Sequence, residues 1–411
     1  MVSACGRTDG EDGSALLTVG QPIRLNGMSR SPGETGGAAR MSSVATLGPA
    51  RRTTPVAGPV SRTARGPRGT FLITVVALVA ATPIVLVAAI SVGAVSISPI
   101  DVWSSAIGHL VGGGGHASAV DDQIIWQIRT PRVLLAFVVG AGLAVTGAVL
   151  QAVVRNPLAD PYVLGVSAGA SVAAVAMLTL GGIATTGLLS ALGVSGAAFI
   201  GAVVTLGLVI ALGQRQRQLD PNRLLLAGTA LFYLFQAGTS FLQLRVGSNQ
   251  LAAVLFWLLG TVSGADWHKL VLPTLIVTAA TLWLVTRARH LNALLLGDEA
   301  AASLGISVSR LRAQLLVIAA ALTAAVIAVA GGVGFVGLVA PHCVRLLIGS
   351  DHRRLLPVAA LLGGVFLVLA DLIGRVVARP LELPLSIITA VVGVPFFLVL
   401  LRRSGRMGGV A

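Results

Sequence analysis

The sequence predicts an all-α protein that crosses a membrane about ten times. Hydrophobic residues make up 55% of the 411-residue chain and charged residues only 11%, with a mean hydropathy of +0.90. Ordinary soluble domains carry about 25% charged residues. Apolar runs near the length a helix needs to cross hydrocarbon, about 20 residues, recur between residues 70 and 403, and charges gather in the intervals between them. The net charge of +14 does not point to nucleic acid, because the arginines occupy those intervals, where positive charge marks the cytoplasmic side. Length alone would allow two or three soluble domains. The tight spacing of the spans predicts instead one membrane domain over 70–403. A disordered basic cytoplasmic tail over 1–69, or a mis-assigned start, precedes it, and a short cytoplasmic tail over 404–411 follows.

Residues 1–69 are rich in Gly, Ser, Thr, Pro and Arg and show neither helical nor strand periodicity, the composition of a disordered segment. Arg40, Arg51, Arg52, Arg62, Arg65 and Arg68 accumulate before the first apolar run and predict a cytoplasmic N-terminus. The apolar core of a cleaved leader is not evident, and Met28 and Met41 are alternative starts. Thr70–Val95, with Pro83 inside, is the first span and runs outward. Ser98–Leu110 contains Pro99, Asp101, Trp103 and His109; it is too polar to cross and reads as an interfacial helix, followed by a glycine loop over Gly112–Gly115. Trp126 near Arg129 is an interfacial anchor.

The second span returns inward from Arg132 to Val154 without an ionisable residue. Gly140, Gly142 and Gly147, with Ala136, Ala141, Ala144 and Ala148, give it a small-residue ridge for close helix packing. Gly165–Gly182 and Leu189–Leu212 are the third and fourth spans, and the charged interval Arg215–Arg223 lies inside. Leu224–Leu244 leads out, Asn249–Val262 is a short broken or re-entrant segment, and Leu270–Val285 returns. Arg287–Arg312 is a long cytoplasmic interval. Gln314–Val333, Gly334–Ile348, Pro357–Ile373 and Leu385–Leu401 complete the set, with Asp351–Arg354 inside, Arg375–Glu382 outside and both termini cytoplasmic.

Several ordered motifs carry a resemblance. Arg129-Thr-Pro-Arg132 is followed by Gly140, Leu143, Ala144, Gly147 and Gln151 at fixed spacing, then by Arg155-Asn-Pro-Leu-Ala-Asp-Pro161 and Leu164-Gly165. Further on come Leu224-Leu-Leu-Ala-Gly-Thr-Ala-Leu231, Gly297-Asp-Glu-Ala-Ala-Ala-Ser-Leu-Gly305, Gly334-Phe-Val-Gly-Leu-Val-Ala-Pro-His342, Asp351-His-Arg353, Leu369-Ala-Asp371, Glu382-Leu-Pro384 and Thr389 with Gly393. Together, over about residues 70–403, they resemble the FecCD family, the permease subunits of ABC importers for iron-siderophores, haem and cobalamin.

The resemblance implies the partners and site residues. A separate ABC ATPase, which binds the ATP and Mg, would dock at Asp298, Glu299, Ala300, Ala301, Leu304 and Gly305, with small alanines fitting its cleft. An extracytoplasmic substrate-binding protein or lipoprotein would dock at Arg129, Arg132 and Arg375 on the outer side, Pro131 breaking the helix so that the guanidiniums face outward. An inner gate would comprise Asn156, Pro157 and Leu158 with Pro221 and Asn222, although the last two depart from the small hydroxyl residues the pattern has there. A second permease copy or paralogue would supply the other half of the path, as in a homodimer. The cargo would be a metal chelate, a ferric siderophore, with cobalamin or haem as the alternative, carried across a bacterial inner membrane.

The residues themselves set limits. A phosphate-binding loop needs a lysine within a Gly-Lys-Ser/Thr motif, but the single lysine, Lys269, stands between His268 and Leu270. The work must therefore come from a partner, and the chain is not expected to be an enzyme. His342 and the adjacent Cys343 do not make a closed metal site, and Cys5 and Cys343 offer no disulfide framework. A secondary transporter would need ionisable residues in mid-membrane, and a channel would need a filter or a charged ring; the spans carry neither pattern. Asp371, near the end of a span, is expected to pair with Arg375 one turn later.

Overall fold

The computed structural model describes residues 68–93, 95–112, 118–184, 188–215 and 218–407. Of the expected tail over 1–69, all but Arg68 and Gly69 lies outside the described residues, as do 408–411 and the glycine loop beyond Gly112.

Helices dominate the described chain. In order they are α1 (Arg68–Ser91), α2 (Pro99–Val111), α3 (Ala119–Gln123), α4 (Thr130–Val154), α5 (Val166–Ala184), α6 (Leu188–Gly213), α7 (Pro221–Gln243) and α8 (Ser248–Leu258). Then follow α9 (Trp267–Thr286), α10 (Ala288–Leu295), α11 (Asp298–Ser303), α12 (Val308–Ala330), α13 (Val336–Ile348), α14 (His352–Val376) and α15 (Leu385–Met407). A π-helical turn, Ile124–Arg129, joins α3 to α4, and a 3-10 turn, Pro161–Leu164, leads into α5. Two-residue strands β1 (Gln214–Arg215) and β2 (Gln218–Leu219) pair antiparallel before α7. Seven described helical stretches are long and apolar enough to cross a membrane; with the shorter apolar helices Val166–Thr179, Val336–Ile348 and Leu385–Leu400 the set is ten.

The second span is the centre of the bundle, because its small residues admit neighbours on several sides. A Cβ added at Gly147 would run into the Gly337 carbonyl of α13, one at Gly140 into the Gly363 carbonyl of α14, and one at Gly142 into Val326 of α12. Between helices in lipid there is little hydrophobic drive, so such close backbone approach and interhelical hydrogen bonds hold the bundle together. Gln151 adds one: its Nε2 donates to Gly337 O at 3.3 Å. Gly169 of α5 and Gly201 of α6 make a second close seam. Threonines within the spans bond along their own helices, Thr146 Oγ1 donating to Gly142 O at 2.8 Å and Thr323 Oγ1 to Ala319 O at 2.7 Å.

Two elements show how sequence directs the path. Ser98 caps α2 by accepting from Ile100 N, Pro99 occupies its first turn, and Gly112 ends it at φ 78. Ile100, Trp103, Ile107 and Leu110 are exposed while Val102 and Ser105 are buried, the two-faced helix expected at an interface. The broken segment is α8, whose irregular exit finds partners in the backbone ends of α12 and α15. Thr261 N donates to Ala330 O, Leu385 N to Gly260 O and Ser386 N to Leu259 O, at 2.8–3.1 Å. Irregular backbone at membrane depth persists only when satisfied in this way.

Candidate functional site

At one end of α4 the expected helix break is absent. Thr130 is helical at φ −61, ψ −49, and Pro131 follows the π-helical turn without breaking the helix; the nearby carbonyl of Trp126 accepts from Trp267 Nε1 at 2.9 Å. The helical path therefore runs on from Ala119 through the π-helical turn. The guanidiniums do not point freely outward as expected; they turn into the protein.

Arg129 is buried and closes the end of α1. Its Nη1 donates to Ile90 O at 2.7 Å and Ser91 O at 3.0 Å, and its Nη2 to Val95 O at 2.5 Å. Arg375 donates from Nη2 to Ala89 O at 3.0 Å and from Nη1 to Val92 O at 3.1 Å, and Arg379 from Nη2 to Gly93 O at 2.9 Å. Three arginines thus satisfy the carbonyls that a helix leaves unpaired at its C-terminus, where the helix dipole also favours cations. Arg132 instead meets acids: Nη2 lies 2.9 Å from Asp371 Oδ1 and 3.0 Å from Glu382 Oε2. Asp371 also pairs with Arg375, its Oδ2 3.0 Å from Nε. The partners Arg379 and Glu382 were missed in sequence as site residues. Glu382 lay in a recognised motif, but nothing in its spacing pointed to an arginine 250 positions away.

At the other end of α4, Arg155 takes a left-handed backbone (φ 54) and ends the helix. The stretch after it is non-helical and locally braced: Asn156 Oδ1 accepts from Leu158 N at 2.9 Å, and Ala159 N donates to Asn156 O at 3.1 Å. Asn156, Pro157 and Leu158 are exposed. Asp160 then caps the 3-10 turn, accepting from Tyr162 N at 3.0 Å, and burial pushes its carboxyl up to about 6. Pro221 and Asn222 open α7, and their side chains, the other half of the expected gate, lie outside the described residues.

The expected ATPase contact is α11. Asp298 pairs with Arg312 of α12 at 3.0 Å and with Arg155 at 3.3 Å. Glu299 and Leu304 are exposed, Ala300 is half-buried, and Gly305 turns the chain at φ 78. Of the alanines, Ala301 is fully buried, packing α11 onto this chain's own core, while Ala302 is exposed. The most exposed leucines are Leu296 and Leu304, 71% and 65% accessible, on either side of α11, with Leu295 also exposed. Behind this arm, Asn292 of α10 accepts from His352 N at 3.0 Å and donates to Asp351 Oδ1 at 2.7 Å, tying α10 to the start of α14.

A central helix of ten, closed at one end by arginines and joined at the other to a short helical arm, has a counterpart among known families. The model of the FecCD transport family matches residues 78–403. The chain belongs to this family. It is 44% identical over 281 residues to the cobalamin import system permease protein BtuC of Halobacterium salinarum, covering 68% of this chain and 73% of that protein. The Fe(3+)-citrate import system permease protein YfmE of Bacillus subtilis is 37% identical, over 78% of this chain and 92% of its own length. An ABC transporter assigned to the metal-chelate type, solved facing inward, matches with a TM-score of 0.69 at 30% identity and covers 82% of this chain and 99% of its own. This FecCD protein is accordingly a multi-pass membrane permease subunit of an ABC importer. Membership implies an ATPase, a substrate-binding protein and a second permease copy as partners.

Proposed function

We propose that this FecCD permease imports a ferric siderophore, delivered by a substrate-binding protein on the Arg129 side and driven by an ATPase docked on the Arg155 side. The observation that carries the proposal is the pair Leu296 and Leu304. Two exposed leucines beside a short helix, in an interval otherwise rich in arginine, fit the contact face of a partner protein, since the core of such a face is apolar and its rim polar. Arginines clustered in that interval, at Arg287, Arg289, Arg310 and Arg312, support a cytoplasmic orientation for it.

On the opposite face Arg129, Arg132 and Arg375 serve docking by fixing a rigid rim, their charge being committed within the chain. Glu382 and Arg379, both exposed, present the rim's charge to the binding protein. Two copies enclose the path, and Asn156, Pro157 and Leu158 gate its inner mouth. Cobalamin is the second reading, favoured by the name of the Halobacterium relative.

Co-purification tests the ATPase contact. Leu304→Glu should strip the ATPase from a permease that still reaches the membrane and unfolds at the wild-type temperature. Retention of the ATPase at wild-type stoichiometry would remove α11 from the contact.

A further inference from the structure

An arm that meets the ATPase must be joined mechanically to the mouth of the path, and one carboxylate makes that junction. Asp298 Oδ1, at the first residue of α11, lies 3.0 Å from Arg312 Nη2 on α12 and 3.3 Å from Arg155 Nη2 at the end of α4. The two bridges are unequal. The Arg312 side chain is 6% exposed, and Asp298 is its carboxylate partner among the described residues; the Arg155 side chain is 43% exposed. Removing the acid from a buried guanidinium is strongly unfavourable, whereas an exposed pair opens easily.

The backbone turns sharply at both ends of the weaker bridge. Gly297, directly before Asp298, has φ 109, a conformation other residues rarely adopt, and Arg155 has φ 54 immediately before Asn156. A cavity of about 440 Å³ lined by Arg155, Leu296, Gly297, Asp298, Glu299 and Ala300 leaves α11 room beside Arg155.

We propose that Asp298 is the positioning residue that passes displacement of α11 to the end of α4. Its bridge to Arg312 keeps α11 with α12 throughout, and its bridge to Arg155 is made in one state of the transporter and open in the other, so that the stretch Asn156–Leu158 follows the arm. The inference rests on reading α11 as the ATPase contact, and it assigns a separate task to a residue that faces the permease rather than the partner.

The experiment uses the complete transporter, permease with ATPase and binding protein, in proteoliposomes, and reads cargo moved per ATP hydrolysed. Arg155→Gln should leave the ATPase bound and hydrolysing but lower cargo per ATP several-fold, and Arg155→Lys should restore part of the loss. Asp298→Asn should lower the ratio at least as far, and the double variant should be no worse than Asp298→Asn alone. Should Asp298→Asn fail to assemble because Arg312 loses its acid, the Arg155 pair of variants still decides. An unchanged ratio in Arg155→Gln would overturn the proposal, and so would loss of the ATPase from that variant. Failure of the contact reading itself shows separately, as an ATPase that stays on Leu304→Glu.

Discussion

Arg132 of α4 and Asp371 of α14, 239 positions apart, meet with Nη2 2.9 Å from Oδ1 and side chains only 13% and 4% exposed. The same carboxylate holds Arg375, so one acid balances two guanidiniums where three elements converge. Breaking a buried pair from one side costs about 3–5 kcal/mol, because the remaining charge is stranded. Asp371→Asn should therefore lower the unfolding temperature of the purified permease sharply. Glu382→Gln, on a residue 43% exposed, should cost at most about 1 kcal/mol. Thermal unfolding of both variants in one detergent checks the contrast, and equal shifts would contradict it.

Arg129 makes no ion pair with an acid among the described residues; it works through the carbonyls of Ile90 and Ser91 at the end of α1 and of Val95 just beyond it. A planar fork of donors suits that task and a lysine's single ammonium does not. Arg129→Lys should leave carbonyls unpaired and cost roughly 1.5–3 kcal/mol, the scale for hydrogen bonds from a charged group. Faster hydrogen exchange confined to the end of α1 is the expected sign, and unchanged exchange there would assign the arginine another task.

Helix packing gives a prediction with its own control. A side chain at Gly147 meets the Gly337 carbonyl, whereas one at Gly207 meets nothing within 4 Å. Gly147→Leu should abolish the folded permease, measured as the monodisperse fraction in size-exclusion chromatography, and Gly207→Ala should leave that fraction unchanged.

Asp160 sets a pH dependence. Burial raises its folded-state carboxyl to about 6, against about 3.9 for an unfolded aspartate. Between these values the folded state holds a proton that the unfolded state has released. This contribution to stability is therefore full below about pH 4, declines as pH rises to about 6, and is lost above that. Asp160→Asn keeps an acceptor for Tyr162 N and removes the ionisation, so its unfolding temperature should be flatter than wild type between pH 4 and 7. Parallel curves would place the titration elsewhere.

Much of this fold is legible in the sequence because lipid imposes blunt constraints: an unbroken apolar run from Arg132 to Val154 can hardly be anything but a span, and its glycines announce close neighbours. The extent of that helix was not legible. Pro131 reads as a break, but helix lies on both sides of it, a π-helical turn before it carrying the axis back to Ala119. The arginines were legible as a cluster and not as caps, since the carbonyls they satisfy carry no side-chain signature. Ala301 illustrates the same limit on α11, where six residues are too few for periodicity to separate the buried face from the exposed one. The bridges from Asp298 to Arg155 and Arg312 join distant segments by tertiary packing alone.

The central claim, that this permease moves a metal chelate with ATP supplied through a partner, is tested most directly by uptake into proteoliposomes holding the permease with its ATPase and binding protein. The account predicts accumulation of a ferric siderophore that requires ATP and the binding protein and that continues without a proton gradient. Saturable accumulation of cobalamin in its place would transfer the cargo to the second reading. Accumulation driven by a proton gradient in the absence of the ATPase would contradict the account.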